Sequence, residues 1–175
     1  MALFHKKFKV ESARLQDYNY SQEGAYFVTI CTKDKKWSLG KIVNQKFLDT
    51  SQSKIVRRCW LDLPNHYPEC LLDEFIIMPN HIHGIIIINR KVETGFKPVS
   101  TQSHYSLSEI IRGFKTFSAK QINKIQSTHG KPFWQSRFYD HIIRNDESLN
   151  KIREYIAVNP QNWHNDKNNL QNFIY

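Results

Sequence analysis

The sequence predicts an α+β fold: an antiparallel sheet in the βαββαβ order of a ferredoxin-like sandwich, with helices on one face and a further C-terminal helix. Three patterns carry this expectation. Residues 25–32 alternate strictly, Tyr26, Val28 and Ile30 against Phe27, Thr29 and Cys31, as a strand does. Two apolar runs meet at Pro79-Asn80, a turn signal, and so predict an antiparallel hairpin. Between and after these strands stand three stretches with helical spacing, two of them opened by recognisable caps.

Taken in order, residues 1–24 are basic and polar and read as an irregular N-terminal arm. The first strand follows, then a charged turn at Lys33 to Lys36 and a short hairpin within Trp37 to Phe47. Leu48 to Leu63 reads as a helix because Ile55, Val56, Cys59, Trp60 and Leu63 recur at helical spacing, with Pro64 as its stop. Glu69 to Met78 and His81 to Asn89 are the central hairpin. Arg90 to Tyr105 lacks periodicity and contains Gly95 and Pro98, which predicts a long loop. Ser106 and Glu109 form a capping box for a basic amphipathic helix carrying Ile110, Ile111, Phe114 and Ile122. Phe138 to Ile143 reads as the last strand. Asn145 caps a final helix whose buried stripe is Leu149, Ile152 and Ile156. Pro160 closes it and should keep Asn159 out of right-handed helical geometry. The Asn-rich tail, 161–175, is expected to run over the surface.

The 175 residues fit one domain, 1–175, with enough chain for a core. Hydrophobic and charged contents of 40% and 23% are ordinary, so the net charge of +9 stands out and favours a polyanionic partner, nucleic acid first. Three widely spaced cysteines without a C-x-x-C imply neither a zinc ribbon nor a disulfide framework, and suit a reducing cytoplasm. No apolar run is long enough to cross a bilayer or serve as a signal peptide.

The chemistry-bearing residues sit at the hairpin and in the last helix. In Met78-Pro79-Asn80-His81-Ile82-His83-Gly84, strand alternation puts His81 and His83 on one face and Ile82 on the other. Their Cα atoms should be roughly 6.5–7 Å apart, so the imidazoles can share one ion. Tyr155 and Asn159 lie one helical turn apart. Singly, each of the four also reads as a structural residue. Together they supply two imidazoles, an amide oxygen and a phenol, which is what phosphodiester chemistry needs.

Four segments, M-P-N-H-I-H-G, G-F-K at 113–115, F-W-Q-S-R-F-Y-D-H-I-I-R at 133–144 and R-E-Y-I-A-V-N-P at 153–160, resemble the REP-associated tyrosine transposases, within the insertion-sequence transposases of the HUH single-strand nuclease superfamily. The resemblance runs from about Arg14 to Trp163. It implies cleavage of single-stranded or hairpin DNA, a divalent metal, Mg²⁺ or Mn²⁺, held by His81, His83 and Asn159, and Tyr155 as the nucleophile that forms a 5′-phosphotyrosine. It also implies a homodimer. Arg14, Lys115, Trp134, Arg137, His141 and Arg144 are candidate DNA contacts, with core packing the competing role for Trp134, and Tyr139 is the rival nucleophile. A non-catalytic nucleic-acid-binding domain on the same fold is the alternative function. A zinc-stabilised structural domain fits poorly, because no cysteine adjoins the H-x-H.

Overall fold

The structure, a computed structural model, describes residues 20, 22–90 and 105–169. Arg14, most of the N-terminal arm, most of the 90–105 loop and the end of the tail lie outside these residues.

The elements are β1 (Gly24–Cys31), β2 (Gly40–Val43), β3 (Lys46–Asp49), α1 (Ser51–Leu61), α2 (Leu63–His66), β4 (Cys70–Met78), β5 (His81–Ile88), α3 (Leu107–Ile125), β6 (Tyr139–Ile143) and α4 (Asp146–Val158). The main sheet has the order β4-β5-β1-β6 with every neighbouring pair antiparallel. That is the ferredoxin-like order, with the β2–β3 hairpin inserted before the first helix and α4 added after the last strand. Among the described residues, no helix is long and apolar enough to cross a membrane.

The sheet has two covered faces. Tyr26, Val28, Ile30, Ile82 and Ile86 pack with Val56, Trp60, Ile111 and Phe114 on the α1/α3 side. Phe27, Ile85 and Ile143 pack with Ile156 of α4 on the other side, joined by Leu149 and Ile152. This explains the uninterrupted Ile85 to Ile88 run: a central strand covered on both faces has no solvent side to reserve for polar residues. Gly84 faces the first layer, where an added Cβ would run into the Trp60 indole. The absence of a side chain lets the indole lie against the strand.

Four expectations change at element ends. Leu48 and Asp49 belong to β3, paired with Lys41 and Gly40, rather than to the helix. Asn44 and Gln45, both at positive φ, make a two-residue hairpin turn that carries the strand pattern on to Asp49. The helix begins after Thr50, whose hydroxyl accepts from the Ser53 backbone N–H while the Thr50 N–H donates to Ser53 Oγ. It ends at Leu61, not at Pro64, which falls in the first turn of α2, where its missing N–H costs nothing. Asn159 adopts φ −57° and ψ −42°, right-handed helical geometry despite Pro160, because the chain winds on through turns closed by Gln161 and Asn162 N–H groups on the Val158 carbonyl.

The fourth correction is the largest. Residues 161–169 do not run loosely over the surface. They form a 3-10 turn at Trp163–Asn165 and bury Trp163, Asn168 and Asn169. The Trp163 ring lies 6.0 Å from that of His81, so the segment closes against the hairpin. The capping box of Ser106 and Glu109 and the Asn145 cap on Ser148 are as the sequence implies.

Candidate active site

The Pro79-Asn80 turn delivers His81 and His83 to the α4 side of the sheet, both buried, while Ile82 faces α1 and α3. Asn80, fully buried, donates its amide protons to the carbonyl oxygens of Lys35 (3.1 Å) and Asn168 (2.7 Å). Its Oδ1 therefore faces His81 Nδ1 at 2.8 Å and can only accept, which places the proton on Nδ1 and the lone pair on Nε2. His83 Nδ1 meets Thr29 Oγ1 at 2.8 Å. The two Nε2 atoms stand 3.0 Å apart. Nitrogens bound at right angles to one ion at about 2.1 Å would be separated by about 3 Å.

Burial pushes the His83 pKa down to about 3, helped by the positive charge of Lys167. Burial also holds His81 well below its ordinary value, with the charges of His83, Lys35 and Lys167 acting the same way. Both imidazoles are thus neutral at pH 7, the form that ligates a metal. Asp166, from the tail segment, brings Oδ2 to 3.7 Å from His81 Nε2. Ligand atoms of His81, His83 and Asp166 lie within 4.8 Å of one another and could hold a metal ion. Sequence reasoning missed Asp166, since nothing distinguishes it from its polar neighbours in H-N-D-K-N-N.

Helix α4 presents Tyr155 and Asn159 to the same place. The Tyr155 hydroxyl is 3.3 Å from His83 Nε2, and its ring meets Phe27 edge-on at 6.0 Å and His83 at 5.3 Å. The residue is still 43% exposed, so its oxygen is reachable. Burial raises its pKa, an effect partly offset by the nearby Asn159 amide and reinforced by the charge of Asp166. One turn on, Asn159 is buried and its Oδ1 has no hydrogen-bond partner among the described residues. A buried amide oxygen without a donor is costly. A cation between it and the imidazoles would satisfy it, so the residues present fit a metal.

His83, Tyr155, Asn159 and Asp166 line a cleft of about 610 Å³ together with Tyr139, His141, Lys151 and Lys167; His81 lies buried behind them. His141, expected to contact DNA, therefore reaches the cleft, and so does the rival nucleophile Tyr139. Trp134 does not. It is buried in the α1/α3 layer, its Nε1 donates to Ser118 Oγ at 2.9 Å, and its ring packs on Phe114 and Phe133, so the packing role holds and no ring face is offered to a base. Lys115 Nζ, on α3, donates to the Ser136 carbonyl at 2.9 Å. Arg137 and Arg144 are exposed and do not line the cleft.

Comparison with known proteins agrees with this architecture. Residues 98–159, which include Tyr155 and Asn159 but not the two histidines, match the family described as IS200-like transposases. A Haemophilus influenzae protein of no assigned function is 38% identical over 168 residues, covering 89% of this chain and 91% of that one. A second H. influenzae protein, provisionally assigned as a REP-associated tyrosine transposase, is 24% identical, covering 81% and 73%. Among solved structures, that of a REP-associated tyrosine transposase bound to a REP hairpin superposes with a TM-score of 0.59 at 20% identity, covering 87% of this chain and 74% of that one.

Proposed function

We propose, from the likeness of residues 98–159 to the IS200-like transposases and of the chain to a provisionally assigned REP-associated tyrosine transposase, that this protein is a metal-dependent single-strand DNA endonuclease and strand transferase with Tyr155 as nucleophile. The observation that carries the reading is that Tyr155, His83 and Asn159 line one open cleft, with the Tyr155 hydroxyl 3.3 Å from His83 Nε2, His81 Nε2 buried 3.0 Å behind it and the Asn159 oxygen unpartnered among the described residues. DNA that is single-stranded or hairpin-bearing is the proposed substrate, by analogy with the hairpin-bound relative.

His81 and His83 would hold Mg²⁺ or Mn²⁺, with the Asn159 amide oxygen and the Asp166 carboxylate completing the set; two imidazoles suit Mn²⁺ on ligand softness. When bound, the ion stabilises phenolate and polarises the scissile phosphate. The stacked Phe27 and His83 rings both meet the Tyr155 ring and would hold its oxygen in place for attack. A new bond forms between Tyr155 Oη and phosphorus as the bond to the 3′ oxygen breaks. The products are a 5′-phosphotyrosine and a 3′-OH, the phenol proton leaving to water at the open mouth and the 3′ oxygen taking one up. The phosphodiester is conserved in the adduct, so the 3′-OH of another strand can reverse the step and be joined. A homodimer belongs to the same proposal and is read by light scattering.

The test is covalent trapping: protein, a labelled single-stranded hairpin library and Mn²⁺ or Mg²⁺, resolved on a denaturing gel. A denaturation-resistant adduct is expected, and it should vanish with Tyr155→Phe, with His81→Ala and with a chelator. An adduct that survives Tyr155→Phe would move the nucleophile to Tyr139. Binding without any adduct would favour the non-catalytic nucleic-acid-binding domain.

A further inference from the structure

The mechanism above leaves one wall of the cleft without a role. Thr29 pairs with His83 on one side and with Tyr139 on the other, so the three residues form a row across β5, β1 and β6. Residues opposite each other in an antiparallel sheet point to the same face. Two strand spacings of about 4.8 Å put the Tyr139 backbone about 10 Å from that of His83. Phe27 pairs with His141 in the next row of the same face. Tyr139 is 46% exposed, and Lys167 Nζ lies 5.6 Å from its ring centroid. An exposed aromatic ring on a rigid strand, in a basic chain, beside a nucleophile, is poorly explained as packing.

We propose that Tyr139, Lys167 and His141 form a subsite for the nucleotide next to the scissile phosphate, with the base stacked on the Tyr139 ring and its phosphate held by Lys167 and His141. The inference rests on the single-strand cleavage reading. Lys167 occupies the ring face only as a cation; a base would displace it toward the backbone phosphate, exchanging one favourable ring contact for stacking plus a charge contact. Asp166 also lines the cleft, with its Oδ2 3.7 Å from His81 Nε2. Lys151 also lines the cleft but is bonded to Glu147 at 2.6 Å. The subsite selects against duplex, because paired bases are already stacked on their neighbours and present no free face. It is tolerant of base identity, because every base has a π-face.

The experiment reads equilibrium binding rather than cleavage. In a Tyr155→Phe background, fluorescence anisotropy is measured with a labelled mixed-sequence single strand and with the same strand annealed to its complement. Tyr139→Ala should weaken single-strand binding about 5- to 100-fold and leave duplex binding as it was. Tyr139→Phe, which keeps the ring, should match the parent. Lys167→Ala should lower the salt slope by about one. Circular dichroism establishes that each variant is folded. Single-strand affinity unchanged by Tyr139→Ala would overturn the subsite, as would a Phe variant as weak as Ala. If the parent binds neither probe, the nucleic-acid reading itself falls, and the subsite with it.

Discussion

Asn80 keeps its amide nitrogen between the carbonyl oxygens of Lys35 and Asn168, which leaves only its oxygen for His81. One side chain thereby fixes the tautomer of a proposed ligand and ties down the tail that supplies Asp166. Asn80→Ala should lower Mn²⁺ affinity about 10- to 100-fold, the usual cost of losing a partner that orients a ligating histidine, as read by isothermal titration calorimetry. Unchanged affinity would mean that His81 is oriented by packing alone. The other outer partner, Thr29, is less committed, since its hydroxyl can donate or accept. His81 and His83 thus differ in how firmly they are set, a distinction that H-x-H in a sequence cannot express.

Helix α4 is tied to the sheet by more than its apolar stripe. Arg153 donates to both carboxylate oxygens of Asp73, Nε at 2.9 Å and Nη2 at 2.5 Å, two residues before Tyr155 on the same helix. Asp73 sits where the β4–β5 register shifts between Leu72 and Phe75, a bulge that re-aims its side chain. Removing the pair with Asp73→Asn should slow adduct formation several-fold while leaving single-strand affinity in the Tyr155→Phe background unchanged. The charge-reversed pair, Asp73→Arg with Arg153→Asp, should recover part of the rate. Equal loss of affinity would assign the pair to folding rather than to placing the nucleophile. The Arg153 hydrogen bonds hold the Asp73 carboxyl below its ordinary value. A depressed folded-state value means that the pair contributes fully above about pH 4 and that its contribution is lost as pH falls through that depressed value. Adduct rates should therefore carry no loss from this pair at neutral pH.

Across the whole molecule, the sheet separates a structural layer, α1 and α3, from a chemical one, α4 and the tail. Gly84→Ala tests the first layer. Its new methyl would press on Trp60 and should destabilise the protein by about 1–3 kcal/mol, seen as a lower urea midpoint, with Trp60→Phe in the same chain restoring part of it. No shift would mean that the indole moves aside freely. Whatever depends on spacing along one element was legible in the sequence. Strand alternation put His81 and His83 on one face, a single helical turn put Asn159 beside Tyr155, and the order of strands and helices specified the ferredoxin-like sheet. The tertiary structure alone decided what depends on distant segments meeting: Asp166 beside His81, Asp73 under Arg153, Trp134 against Ser118, and Tyr139 in line with Thr29 and His83. The physical reason is that periodicity is a local property of the backbone, whereas a lone Asp or Tyr gains its role from neighbours tens of residues away. The same limit explains why an Asn-rich tail reads as surface until its buried side chains are seen closing the site.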